Sequence, residues 1–137
     1  MKKFFLKIMT PEKVFYNGEA EMITVSTVVG LVSVMAMHQP TVLALQPGVV
    51  RIYNGGKFKE AFISDGFAEV RPDATVVFSQ AAEWPEDIDE MQALAAKERA
   101  EEMLRRRNSL NEYRLSKAAL QRAFARLKVK SHNNKYD

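Results

Sequence analysis

The sequence predicts an α+β chain: an N-terminal antiparallel β-sandwich of about ten strands over residues 1–84, then an α-helical hairpin over residues 85–137. Three observations carry this. Short apolar stretches alternate with period two through the first part and are broken by turn residues every ~8–12 positions, as in sandwiches and barrels. Trp84-Pro85 marks a boundary, because proline suits a linker or a first helical turn. Beyond it the pattern becomes alanine-rich, charged and helical, as in DIDEMQALAAKERAEEMLRRR, Asp87 to Arg107.

The strands follow in order. In Lys3–Ile8 the side chains of Phe4, Leu6 and Ile8 share one face. Thr10-Pro11-Glu12 and Asn17-Gly18 are turns, and Glu21–Ser26 alternates again. Leu31–Met37 is an apolar run between Gly30 and His38-Gln39-Pro40. After Gln46-Pro47-Gly48, Val49–Tyr53 and Lys57–Ile63 flank Asn54-Gly55-Gly56, a tight hairpin whose reversal needs positive φ. Asp65-Gly66 and Arg71-Pro72-Asp73 punctuate two further strands ending near Gln80.

Asp87, Asp89 and Glu90 place negative charge at the positive end of a first helix. Glu101 and Glu102 precede Arg105 and Arg106 by four residues, the favourable orientation for helical ion pairs. Asn108–Asn111 is a loop, Ser109 and Glu112 have capping-box spacing, and a second helix runs to about Val129 before a frayed tail. The inner stripe of the hairpin is small: Ala93, Ala96, Ala100, Ala119 and Ala123, with Ile88, Met103, Leu104, Leu115 and Leu127 as its larger groups. At ~25 cal/mol per Å² of apolar burial, such a hairpin is marginal alone and leaves its resting place cheaply. Trp84 packs at the junction.

Composition narrows function. The chain has 137 residues, 47% hydrophobic and 27% charged, with no cysteine, which excludes disulfides and thiolate metal sites. Two histidines 94 positions apart make a transition-metal site improbable on composition. The N-terminus lacks the apolar stretch of a signal peptide, and no run approaches the ~20 residues of a membrane span. GxxxxGK[ST] and GxSxG are both absent, so no enzyme signature is present. Residues 1–86 carry 8 basic and 9 acidic side chains, and residues 87–137 carry 12 and 8, so the net charge of +3 lies in the C-terminal third and favours an anionic partner there. Arg122 and Arg126 lie on one helical face, and a hairpin turning near Ser109 brings Arg99 level with Leu120, and Ala93 level with Arg126. The three guanidiniums are then either solvated surface or a site for polyphosphate or acidic side chains. His38 is either an ordinary loop histidine or an exposed contact at a loop tip. Val28–Val32 is either core or an apolar patch wanting a partner.

Several features in order resemble the epsilon subunit family of bacterial F-type ATP synthases over nearly the whole chain, to about residue 130: Thr10-Pro11-Glu12, Gly30 with His38-x-Pro40, LQPGVVRI (Leu45 to Ile52), SDGFAEV (Ser64 to Val70), AEWPEDID (Ala82 to Asp89) and ARLKV (Ala125 to Val129). The resemblance implies a non-catalytic rotor subunit that couples ion flow to ATP synthesis. Its partners would be the gamma subunit, the c-subunit ring and the alpha/beta catalytic head, with no nucleic acid and the membrane reached only through the complex. Its place would be the cytoplasmic face of the cell membrane, peripheral. Gly30, Leu31 and His38 would face the ring. The hairpin would be mobile and, extended, would oppose ATP hydrolysis, with Arg105, Arg106, Arg114, Arg122 and Arg126 meeting an acidic segment of the beta subunit. Folded, it would bind ATP through Glu83, Ile88, Asp89, Ala93, Arg99, Arg122 and Arg126; ATP would be a regulatory ligand, and no cofactor would be required.

Two positions depart from the family pattern. Gln92 stands where the family's nucleotide motif has arginine, a loss of about 1–3 kcal/mol if that group faces the phosphates. Gly30-Leu31-Val32-Ser33 replaces a more polar Gly-Glu-x-Gly. The alternative function class is a basic-tailed nucleic-acid-binding or adaptor module. Its arginines, interleaved with glutamates and without stacking aromatics, give that reading a weak signal. A small nucleotide hydrolase is the third class.

Overall fold

The alternating segments form ten strands: β1 (Phe4–Met9), β2 (Val14–Ala20), β3 (Met22–Thr27), β4 (Gly30–Met35), β5 (Thr41–Leu45), β6 (Gly48–Asn54), β7 (Lys57–Ile63), β8 (Gly66–Val70), β9 (Ala74–Ser79) and β10 (Ala82–Glu83). The structure is a computed structural model that describes residues 1–106 and 109–136, with side chains through residue 133. The strands hydrogen-bond in the order β10-β7-β6-β3-β5-β8-β9-β1-β2, with β4 on the other side of β3. The path is nearly broken between β3 and β5, which share only the pair Thr27 and Leu45. There the sheet folds over, so inward side chains of both halves meet. Phe4, Leu6 and Ile8 of β1 join Ile23, Val25, Val50 and Ile52 in one buried core.

The period-two reading of β1 is correct: Phe4, Leu6 and Ile8 are buried while Phe5 is exposed. Gly55 and Gly56 adopt φ of 62° and 77°, as the β6–β7 reversal requires. Gly66 is needed for another reason. A Cβ there would lie 1.9 Å from the carbonyl oxygen of Phe78, so β8 and β9 approach too closely for a side chain. Two features depart from expectation. β1 runs parallel to β9, pairing Phe5 with Ala74 through Met9 with Phe78, so the sandwich is not wholly antiparallel. The two-residue strand β10, which pairs with the end of β7, was too short to leave a pattern.

Trp84 stacks on Phe15 at 4.4 Å between ring centroids and packs against the sandwich core. A single 3-10 turn, Pro85–Asp87, leads into α1 (Glu90–Arg106), followed by α2 (Leu110–Tyr136). Asp89 accepts a hydrogen bond from the Gln92 backbone N–H at 3.1 Å, and Ser109 accepts one from Glu112 N–H at 3.1 Å, so each helix opens on a side-chain cap. Arg107, Asn108 and Asp137 lie outside the described residues.

Expectations for the helices need three corrections. α2 does not end at Val129. It continues to Tyr136, with Lys130 donating to the Pro85 carbonyl at 3.0 Å and the His132 ring 3.0 Å from Glu60. Met103 and Leu115 are 36% and 64% exposed and do not belong to the inner stripe, where Ala93, Ala100 and Ala123 are buried. Glu101 pairs back with Lys97 at 3.6 Å, leaving Glu102 to meet both Arg105 and Arg106.

The hairpin attaches to the sandwich through a second, small cluster: Phe62 of β7, Ile88, Ala125 and Val129, with Val49 and Ala81 at its margin. Around it lie the Arg126–Glu83 ion pair, the Lys130 hydrogen bond and the His132–Glu60 contact.

Candidate functional site

Where α1, α2 and the last strand converge there is a cleft of about 530 Å³, within the range of small-molecule sites. Glu83, Asp87, Asp89, Gln92, Ala93, Arg99 and Arg126 line it. The local sequence explains each placement. β10 and the 3-10 turn carry Glu83 and Asp87. The first turns of α1 present Asp89, Gln92, Ala93 and, two turns on, Arg99. α2 brings Arg126 in from the other side.

Several of these groups also have structural partners. Arg126 Nε donates to Glu83 at 2.5 Å, and its guanidinium lies 4.4 Å from the centre of the Phe62 ring. Asp89 uses a carboxylate oxygen as the α1 cap. Ala93, 4% exposed, lets the two helices approach. Ile88 is buried in the cluster beneath, among Phe62, Ala125 and Val129, and does not line the cleft. Arg99 is exposed and has no ion pair among the described residues. Arg122 is half-buried on α2 and is not among the lining residues. Five of the seven expected nucleotide residues therefore gather at the cleft, while Ile88 underlies it and Arg122 stands outside. Gln92 lines it in place of a cation. Its charges are three carboxylates, Glu83, Asp87 and Asp89, against Arg99 and Arg126.

The residues expected to face the ring occupy the two ends of β4. Gly30 opens the strand with φ of +122° and open space where a Cβ would stand. Leu31 beside it is 74% exposed, and the turn before the strand leaves Val28 and Val29 exposed at 65% and 88%. His38 follows the other end, its Nδ1 2.8 Å from the Gln39 carbonyl. Thr27 fixes the β3–β4 turn by donating to the Gly30 carbonyl at 2.7 Å. The apolar stretch Val28–Val32 is thus largely an exposed tip, although Val32 packs against the core.

The arginines expected to meet an acidic segment divide into two sets. Arg105 and Arg106 at the end of α1 and Arg114 at the start of α2 are exposed. Arg122 and Arg126 lie further along α2, where Arg126 is held by Glu83. A second cleft, on the α2 flank nearer β6 and Leu31, escaped the sequence reading because its residues are scattered from Thr24 to His132.

No helix among the described residues is long and apolar enough to cross a membrane. The profile of the ATP synthase delta/epsilon chain beta-sandwich domain matches residues 3–85, and that of the delta/epsilon long alpha-helix domain matches residues 86–131. The ATP synthase epsilon chain of Caldanaerobacter subterraneus is 49% identical over 131 residues, which are 95% of each chain. That of Ruminiclostridium cellulolyticum is 46% identical, over 93% of this chain and 95% of the relative. Among solved structures, a chain of the Euglena gracilis mitochondrial ATP synthase (OSCP/F1/c-ring) superposes with a TM-score of 0.80 at 26% identity, covering 92% of this chain and 79% of that one. A chain of the Tetrahymena thermophila ATP synthase central stalk and c-ring shares the fold at a TM-score of 0.64. With both domains matched in order along nearly its whole length, the chain belongs to the ATP synthase epsilon chain family.

Proposed function

We propose that this non-catalytic ATP synthase subunit sits on the central stalk and couples ion flow to ATP synthesis. The sandwich joins the gamma subunit to the ring of c subunits, with the exposed tip at Val28, Val29 and Gly30 and with His38 turned towards the ring. The subunit is peripheral, on the cytoplasmic face of the membrane, and reaches the membrane only through the complex. The helical hairpin is a mobile arm that opposes ATP hydrolysis when it extends towards the alpha/beta head. There Arg105, Arg106 and Arg114 meet acidic side chains first, and Arg122 and Arg126 join them once Arg126 has left Glu83.

The observation that carries this reading is the small apolar attachment of the arm: the buried cluster of Phe62, Ile88, Ala125 and Val129, with polar contacts around it that include Arg126–Glu83, Lys130–Pro85 and His132–Glu60 among the described residues. Such a contact releases at modest cost. ATP is the regulatory ligand of the folded arm, bound in the cleft with Arg99 and Arg126 on its phosphates, and Arg122 recruited from the rim. A ligand that binds only the folded arm stabilises it by mass action.

Two measurements test the proposal. Added to an alpha–beta–gamma complex lacking its own epsilon subunit, the full chain is expected to lower ATP hydrolysis, and a chain ending at residue 85 to bind without inhibiting. Equal inhibition by both would refute the arm. Calorimetric titration with ATP is expected to give saturable one-to-one binding that Arg99→Ala and Arg126→Ala abolish. A flat titration into the millimolar range would remove ATP and leave the coupling role standing.

A further inference from the structure

The second cleft has about 550 Å³ and a different chemistry. It lies between the sandwich-facing side of α2 and the surface formed by β3, β4 and β6. Its apolar lining comes from both sides: Leu31, Pro47 and Val49 from the sandwich, Phe124 from α2. Leu31 and Phe124 stay 74% and 50% exposed, so apolar area on facing elements is left in water, where covering it would return ~25 cal/mol per Å².

Two cations also border the cleft, Arg51 from β6 and Lys128 from α2, together with the His132 ring, and Glu60 is its one acid. Glu60 is already engaged twice, by Arg51 Nε at 3.4 Å and by the His132 ring at 3.0 Å. Lys128 is exposed and has no ion pair or hydrogen bond among the described residues. An unpartnered ammonium therefore borders a partly apolar slot. The cleft beside α1 has the reverse balance, with three carboxylates against two guanidiniums.

We propose that this second cleft binds a small amphipathic carboxylate, its single charge on Lys128 and its apolar body along Leu31, Val49 and Phe124. One free cation beside an apolar lining suits one negative charge; a polyphosphate would find no second unengaged cation and no use for that lining. Because the ligand touches both α2 and the sandwich, it binds only when the arm is packed down and holds it there by mass action.

The test titrates the full chain with decanoate below its micelle concentration, followed by amide chemical shifts and calorimetry, with decanol as the uncharged control. Saturable one-to-one binding is expected, with shifts at Leu31, Gly48, Phe124 and Lys128 and weaker binding of decanol. Lys128→Glu is expected to weaken decanoate by about tenfold or more, the scale of one lost charge-assisted contact. Leu31→Ser, at an exposed position, weakens it too, and Arg99→Ala leaves it unchanged. The proposal is overturned by the absence of saturable binding, by equal affinity for decanol, by indifference to Lys128→Glu, or by shifts confined to Ala93 and Arg99. Loss of ATP binding in Arg99→Ala with decanoate binding intact would separate the two clefts.

Discussion

Tyr16 on β2 lies half-buried against the core and donates its hydroxyl hydrogen to the Glu19 carbonyl at 2.9 Å. Burial disfavours the phenolate and raises the group above its ordinary 10.0. The unfolded chain then releases this proton at lower pH than the folded one. The contribution is complete below pH 10 and lost as pH rises through the raised folded value. Thermal melts are expected to fall more steeply above pH 10 for the native chain than for Tyr16→Phe. Equal slopes would mean that Tyr16 ionises without sensing the fold. At this scale the sequence is readable where a residue acts on its neighbours. Ser109 as a cap, acidic charge at the start of α1, and Gly55-Gly56 as a reversal follow from local chemistry; that Asp89 itself caps α1 came from the structure. Contacts across long separations, such as Arg126 with Glu83, leave no local trace.

Among the elements, α2 shows what periodicity reveals and what it leaves open. Its existence and its start were legible from the capping spacing at Ser109. Its rotation was not, because a helix with apolar groups on several sides is oriented by whatever it packs against. Leu115 stays in solvent while Ala125 and Val129 are buried on Phe62. Val129 is 0% exposed and has no polar role, so Val129→Ala isolates the apolar part of the attachment. It is expected to cost about 1–3 kcal/mol. That cost should appear as faster hydrogen exchange across α2 while the β-strand amides keep their protection. Uniform acceleration through both domains would show instead that arm and sandwich open as one unit.

At the scale of the molecule, the main core runs from Phe4 to Ala82 and takes nothing from the helices, with Trp84 packed at its edge. A chain ending at residue 84 is therefore expected to keep a cooperative thermal transition and strand-type circular dichroism. It uncovers Phe62, otherwise 0% exposed, and should self-associate more readily by light scattering. A non-cooperative melt would show that the sandwich needs the arm. The two-part division was visible in the sequence because strand and helix periods differ so clearly. The parallel pairing of β1 with β9 was not, since alternation records which face a residue occupies and not the direction of the neighbouring strand.

That pairing also orders events in time. β1 leaves the ribosome before the other strands of the sandwich, yet one of its two neighbours, β9, is among the last of the sandwich to be made. At ~5–20 residues per second, Phe4, Leu6 and Ile8 wait roughly 3–14 s with one strand edge open. Until Ala74 to Phe78 arrive, the nascent chain carries an unfilled slot in its sheet, a natural point for chaperone capture or for mispairing between neighbouring copies.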